Sequence, residues 1–571
     1  MKNHYAIGLD YGTNSCRALL VSLKDGAEVA QHVFNYPSGD LGVLADPKNP
    51  HVARQHPRDY LEGLEAGLVG VLREAAAKVP GFDPAEVIGI GADSTGSTVL
   101  PVDARGIPLA LRPEFSDRLA ALSWLWKDHA SHAEAARITE LAARTRPHYL
   151  AKCGGAYSSE WFWAKIWHCL NTDPEVFEAA HSWVELCDYL PAVLTGGTRP
   201  EDLRRGVCAA GHKAMFNPEW GGLPDEEFLA DLDPRLAALR GRLYERAYPP
   251  DETAGGLSPA WAEKTGLRAG IAVAVGGFDA HVGAVGAGAR PGSLVKILGT
   301  STCDILVVPE DRSLKDIPGV CGMVQGSVIR GHWGIEAGQS AVGDAFLWFV
   351  RHMVPESYGA SPEARFAALE RAASALLPGQ SGLLALDWNN GNRTILVDQR
   401  LSGLLVGQNL HTTPHEIYRA LIEATAFGAL RIIERIEEYG IAIQEVIACG
   451  GLAEKNDLLM RIYADVTGRP LRASGSGQTC ALGAALLGAV AAGAAEGGFA
   501  TVSEAQAALC GVRGKTYEPD PAAHAVYQKL YALYRQLHDA FGTREGSGSL
   551  YNVMKDLLSI RDEVSSLEGK P

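Results

Sequence analysis

No Cys-x-x-Cys pair occurs among the ten cysteines of this 571-residue chain. Neither a zinc ribbon nor a disulfide framework is indicated, and scattered cysteines point to a reducing compartment. Long hydrophobic runs are also missing. The longest, 480–495, is rich in Ala and Gly and falls short of the roughly 20 residues that a spanning helix needs, so it reads as a buried core helix. Met1-Lys2-Asn3-His4 runs straight into a strand-like segment, with no signal-peptide hydrophobic region and small-residue cleavage site. These absences together lead to the expectation of a cytoplasmic protein. Positive charge is in short supply: 52 Lys and Arg stand against 67 Asp and Glu, a net charge of −15. That balance disfavours nonspecific binding to nucleic acid or anionic membranes. It leaves room for a phosphate ligand, because backbone amides and Mg²⁺ can build a local site.

Glycine is plentiful, at 64 residues, and it clusters beside short apolar runs where backbone must turn close to a ligand. Residues 5–10, 16–23 and 28–36 read as strands joined by Gly12-Thr13-Asn14 and by the hairpin signal Asp25-Gly26. Residues 58–78 carry Tyr60, Leu61, Leu64, Leu68 and Leu72 at helical spacing, and 87–92 is a buried strand ending at Asp93. A strand meander followed by alternating helix and strand is an α/β domain. Residues 159–169 and 184–194 read as helices, 198–224 as a long polar irregular segment, and 271–275 as another strand. Farther on, the strand 445–449 is followed by Asn456 and a helix that stops at Gly468.

One internal repeat stands out. The segment from Gly12 to Val21 is echoed by that from Gly299 to Val308, sharing Gly, Thr, Cys, Leu and the final Val, and each copy follows an apolar strand. Two related domains are expected, 1–285 and 286–571, each presenting a strand–turn–strand hairpin. The glycine-rich segment 283–292 stands at the boundary as a hinge, and the polar last ~50 residues, with helical runs such as 551–567, read as a peripheral appendage.

Two motifs are decoys. The segment from Gly511 to Thr516 imitates a P-loop but has two residues between its glycines where four are needed. Gly286-Ala287-Gly288 has Pro291 where a dinucleotide fingerprint needs glycine. Four other signals carry chemistry. Asp10 ends a strand just before Gly12-Thr13, so it can hold Mg²⁺ while turn amides face phosphate, or it can merely cap a hairpin. Gly299-Thr300-Ser301 offers a matching turn from the other half. Cys449-Gly450-Gly451 lets a flat purine lie against backbone, or is a plain strand-to-helix turn. In Gly276-Gly277-Phe278-Asp279, a carboxylate at a helix start can accept a hydroxyl proton, or can be an N-cap. His281 reads as a satisfied structural histidine.

The order of these signals resembles that of the FGGY family of carbohydrate kinases. The resemblance extends through Asp93–Thr98, Leu111–Phe115, Tyr157–Trp163, Gly211-His212-Lys213, Gly277–His281 and Gly334–Gln339. It implies an α/β fold of two actin-like, ribonuclease H-like ATPase domains with ATP and a sugar in the cleft between them. It implies Asp279 as general base, and Lys213, Asp279, Glu336 and the backbone at Gly96 as sugar contacts. Asp10 would serve Mg²⁺. Gly12, Thr13, Asn14, Gly299 and Thr300 would serve the phosphates, and Gly450, Gly451 and Asn456 would flank adenosine. The chain lacks the Met-His pair of xylulose-specific relatives, the Arg-Glu pair of glycerol-specific ones and a Trp-x-Asp-x-Arg motif, having Trp126-Lys127-Asp128-His129 instead. That pattern is similar to members acting on L-ribulose, in L-arabinose breakdown. A kinase for D-ribulose, xylulose or a polyol is the nearer alternative, and an actin- or chaperone-like ATP switch the more distant one. A homodimer is compatible with the sequence.

Overall fold

The computed structural model describes residues 3–510, 515–544, 550–552 and 555. The amino-terminal half is organised on a sheet of β1 (Tyr5–Tyr11), β2 (Ser15–Ser22), β3 (Glu28–Asn35), β4 (Val87–Ser94), β5 (Thr253–Gly256) and β6 (Ala272–Ala274), in the order β5-β6-β4-β1-β2-β3. Gly277–Phe278 extends it by pairing with the end of β4. α1 (Pro57–Lys78), α3 (Leu186–Thr195), α4 (Val207–Lys213) and α5 (Asp279–Gly286) touch this sheet or its extension, whereas α2 (Phe162–Thr172) belongs to a separate apolar cluster. The carboxyl-terminal half has β7 (Ser293–Leu298), β8 (Thr302–Pro309), β9 (Gly322–Gln325), β10 (His332–Ala337), β11 (Glu445–Cys449), β12 (Leu471–Ala473) and β13 (Thr516–Tyr517), in the order β9-β10-β8-β7-β11-β12-β13. Its helices include α6 (Pro414–Glu438), α7 (Asp457–Thr467), α8 (Thr479–Ala492) and α9 (Pro521–Gly542).

The repeat seen in the sequence is a repeat of topology. β1 pairs antiparallel with β2 and parallel with β4, as β7 does with β8 and β11. The correspondence runs outward on both sides: β2 to β3 matches β8 to β10, and β4-β6-β5 matches β11-β12-β13 in direction at every step. A two-domain α/β architecture with this duplicated sheet is the expected one.

The halves exchange helices. α8, from the second half, packs on β1 and β4 of the first sheet, while α5, from the first half, packs on α8 and reaches β7 and β8. One buried cluster accordingly mixes Ala6, Leu19 and Ile88 with Val295, Ile305 and Leu486. Glycine makes this approach possible: a Cβ on Gly8 would stand 1.8 Å from the Ala481 carbonyl oxygen, and one on Gly91 1.9 Å from that of Ala484. Gly91→Ala is therefore expected to lower stability by about 1–3 kcal/mol or more, since overpacking against backbone cannot be relieved by a side-chain rotation. Thermal unfolding checks it, and an unchanged Tm would show that helix and sheet can part freely. The same contact limits the expected hinge: Gly283 and Gly286 lie inside α5 facing α8, and only Gly288 and Gly292 adopt positive φ.

Three local expectations need correction. Residues 182–185 form a strand paired with Val99–Val102, so the helix expected from 184 begins at Leu186; a short apolar run does not distinguish the two by period. The segment expected to be irregular, 198–224, contains α4, whose small residues let it pack against β9. α9 is no appendage, because Tyr527, Tyr531 and Tyr534 bury one face of it in the core of the second half. Most of the expected 551–567 helix and the P-loop decoy at 511–514 lie outside the described residues. Most of the 480–495 run is a buried helix, which ends at Ala492 with 494–495 exposed beyond it, and among the described residues no helix is long and apolar enough to cross a membrane.

Candidate functional site

Parallel pairing of β1 with β4 sets Asp10 beside Asp93, and Gly277 lies on the other side of Asp93. Asp279 follows two residues later as the first residue of α5, with Phe278 in the cap position. Three carboxyl groups thus gather at one edge of the sheet. Asp93 is fully buried, and the partner of its carboxyl is the Asp10 carboxyl beside it, to which a protonated Asp93 donates. Burial, and then the charges of Asp10 and Asp279, hold its carboxyl well above the usual range. Burial also raises Asp10, against the pull of Arg17 at 3.8 Å. Asp279 is pushed up to about 7 by burial and by Asp10, although its Oδ1 accepts the Ala280 N–H at 2.8 Å. Asp93 was not singled out from the sequence as a site residue. The signal was present, since it ends a buried strand as Asp10 does.

Each half also presents a tight glycine turn between two antiparallel strands. The Gly12 N–H donates to the Ser15 carbonyl three residues on, at 3.0 Å, and the Gly299 N–H to the Ser301 carbonyl two residues on, at 3.0 Å, so the second turn is shorter by one residue. Thr13 is held by Trp126, whose indole N–H donates to its hydroxyl at 3.1 Å, and by Gln55, which donates to its carbonyl at 2.7 Å. Asn14 donates its amide to the Leu41 carbonyl at 2.5 Å. Thr300 is exposed, and its carbonyl accepts the Val342 N–H at 2.8 Å. Gly450 adopts φ +93°, and a Cβ there would lie 2.6 Å from the Leu298 carbonyl oxygen. Glycine at 450 thereby brings the Gly450-Gly451 turn against the strand leading to Gly299, while Gly451 borders open space. Asn456 caps α7: its Oδ1 accepts the Leu459 N–H at 2.9 Å and its amide donates to the Tyr418 hydroxyl at 3.0 Å. Its side chain is committed to holding that helix.

The polar pair on the other flank joins the two halves. Lys213, the last residue of α4, sets its ammonium 3.2 and 3.1 Å from the two carboxylate oxygens of Glu336 on β10. Both side chains are less than a tenth exposed. Burial opposes ionisation of each. The Glu336 charge nevertheless keeps Lys213 above its ordinary range, and Lys213, His212 and His281 keep Glu336 below its own. The Lys213 ammonium also lies 5.2 Å from the Trp161 ring and 5.8 Å from that of Phe278. Asp279 feels both members of this pair electrostatically. His281 is not the satisfied histidine expected: both ring nitrogens lack a hydrogen-bond partner, and Nε2 stands 3.7 Å from Glu336.

Gly96 closes the site from below. A Cβ there would fall 2.3 Å from the Phe278 ring, the residue just before Asp279. Its segment is anchored by Glu185, which accepts from the Ser97 hydroxyl and from the Thr98 N–H. Lys165 donates to the Ser97, Trp124 and Leu125 carbonyls at 2.7, 3.2 and 3.0 Å. Burial drives the Lys165 ammonium down and the Glu185 carboxyl up. Their charges are spent on positioning backbone.

The arrangement suits phosphoryl transfer to a hydroxyl: a partly ionised carboxylate at the start of a helix, two glycine turns for phosphates, and a buried polar pair for a hydroxylated acceptor. Comparison with known proteins agrees. The model of the FGGY family of carbohydrate kinases, N-terminal domain, matches residues 5–286, and that of the C-terminal domain matches 294–492. A ribulokinase from Geobacillus thermodenitrificans is 44% identical, covering 98% of this chain and 97% of its own. Another from Halalkalibacterium halodurans is 43% identical over 99% of this chain and 100% of its own. Among solved structures, xylulose kinase from Rhodospirillum rubrum superposes with a TM-score of 0.76 at 26% identity, covering 94% of this chain and 99% of its own. Plasmodium falciparum glycerol kinase with ADP, at 15% identity and a TM-score of 0.73, covers 94% and 98% and shares the fold.

Proposed function

The chain belongs to the FGGY family of carbohydrate kinases, and on that premise we propose that it transfers the γ-phosphoryl group of ATP to O5 of L-ribulose in L-arabinose breakdown in the cytoplasm. The full-length similarity to ribulokinases supports the sugar. The observation that carries the chemistry is Asp279, a carboxyl with its pKa raised to about 7 that sits between the carboxylate edge and the Lys213–Glu336 pair. In the proposed reaction the sugar lies against Gly96 with its hydroxyls on Lys213 and Glu336. O5 attacks the γ-phosphorus as its proton passes to the Asp279 carboxylate, and the bond from γ-phosphorus to the β–γ bridging oxygen breaks, leaving ADP. The Gly12-Thr13-Asn14 and Gly299-Thr300 turns hold the phosphates, and the Gly450-Gly451 turn leaves a flat face for adenine.

A cation fits the carboxylate edge. Asp93 is buried with its carboxyl against that of Asp10, and like charges so placed are relieved by a divalent ion. Asp10 and Asp93 would hold Mg²⁺, which when bound neutralises charge on the triphosphate. The chain's own contribution is to fix the acceptor hydroxyl against the base and to exclude water from the phosphate.

The test is an ATP-coupled assay across L- and D-ribulose, xylulose, polyols and glycerol, with the phosphorylated position read by NMR. L-Ribulose with phosphate on O5 is the expected preferred pair. Preference for a polyol would move the assignment to another member of the family, and ATP turnover indifferent to every sugar would favour a nucleotide switch. Lys213→Met is expected to raise KM for the sugar far more than KM for ATP, because it removes the cation that holds Glu336 at the proposed sugar subsite. Equal rises in both would place Lys213 outside the sugar site.

A further inference from the structure

Two histidines converge on Glu336, at the same carboxylate oxygen that lies 3.1 Å from the Lys213 ammonium. His212 Nδ1 lies 3.4 Å and His281 Nε2 3.7 Å from the same oxygen, Glu336 Oε2. One candidate donor atom from each residue falls within 4.8 Å of the other two, and all three residues are buried. The Ser327 hydroxyl oxygen lies 3.1 Å from His212 Nε2 and 3.1 Å from the Val324 carbonyl. When that hydroxyl donates to the carbonyl it accepts from Nε2–H, and the Nδ1 lone pair is open to a cation; Nδ1 has no hydrogen-bond partner. His281 lacks a partner on either nitrogen. Burial keeps both rings neutral, His212 well below its ordinary range and His281 down to about 4. Two neutral imidazoles and a carboxylate, one imidazole oriented from its far nitrogen by a hydroxyl, are the donor set and outer support of a transition-metal site.

We propose that His212, His281 and Glu336 bind a borderline-soft divalent cation of the Zn²⁺ class, separate from the hard-cation edge at Asp10 and Asp93. Two nitrogen donors disfavour Mg²⁺, which prefers oxygen. Lys213 shares Glu336 and must yield when the metal enters; its long flexible stem lets the ammonium swing away. His212 and His281 come from the first half and Glu336 from the second, so the ion fastens one half to the other. It also takes the carboxylate that the proposed sugar site uses, and this consequence rests on the functional reading above. Occupancy then inhibits in competition with the sugar and not with ATP.

The experiment uses the full chain without an affinity tag and Co²⁺ as the spectroscopic probe. One equivalent per chain should give the intense visible absorption of a four-coordinate site, survive excess Mg²⁺, raise Tm and fade as L-ribulose is added. His212→Ala with His281→Ala should abolish the band. Ser327→Ala, which keeps all three ligands, should weaken binding about 10–100-fold, and it carries the test if the double variant does not fold. Absence of the band in the folded wild type overturns the site, as does wild-type affinity in the folded double variant or in Ser327→Ala. Binding that depends on the histidines but is indifferent to L-ribulose upholds the metal site and removes the sugar from Glu336.

Discussion

Asp279→Asn is expected to lower kcat by about 10²–10⁴-fold, the usual worth of a positioned general base, with ATP affinity little changed. The substitution keeps the size of the side chain and the acceptor for the Ala280 N–H, so the helix start survives while the base is lost. The pH dependence provides a second reading. With its pKa pushed up to about 7, Asp279 must lose its proton to act. The wild-type rate should fall about tenfold per pH unit below that value and level off above it, and the Asn variant should lack this limb. Stability moves the other way. The folded state holds the Asp279 proton up to about 7, whereas an aspartate in the unfolded chain releases it near 3.8, so this group's contribution to stability declines as pH rises through that window. The Asn variant should be spared that decline. Wild-type turnover in the variant would reduce Asp279 to a helix-start residue.

Asp93→Asn is expected to change activity and stability in opposite directions. Asp93 is buried with two other carboxyls beside it and no cationic partner among the causes of its raised pKa, an arrangement that burdens the fold. Removing its capacity for charge should raise Tm. If Asp93 and Asp10 carry the cation, the same change should cost about 10²-fold in kcat, corresponding to about 3 kcal/mol of lost charge stabilisation. Asp10→Ala should displace the Mg²⁺ dependence of the rate to higher concentration. A Mg²⁺ titration that overlays the wild type would remove the metal role from Asp10. A fall in both Tm and kcat for Asp93→Asn would make Asp93 a structural residue.

Local chemistry written in consecutive residues was legible without coordinates. Asp10 before Gly12-Thr13, the echo at Gly299-Thr300, the Gly450 turn and the Gly468 helix stop can each be read from a handful of neighbouring residues, because turn geometry and helix ends depend on short-range backbone sterics. The doubled hairpin was visible for the same reason, and with it the two-domain plan. Resemblance across most of the chain added the roles of Lys213, Gly96 and Glu336, which no local pattern would have selected.

What remained hidden depends on which distant residues meet. Asp93 became part of the carboxylate edge only when parallel pairing set it beside Asp10. His281 looked like a packed core histidine until folding placed it against Glu336, 55 residues away, with no donor to satisfy it. Gly283 and Gly286 read as hinge residues, yet the exchange of helices between the halves turned them into contact points for α8. Turns, strand ends and the doubled α/β plan follow from backbone preferences and hydrophobic period over a few residues. Which carboxylates repel, which ion pair bridges the halves and which buried nitrogens go unpaired were settled by folding. Burial and electrostatics depend on distance in space, which spacing along the chain does not encode.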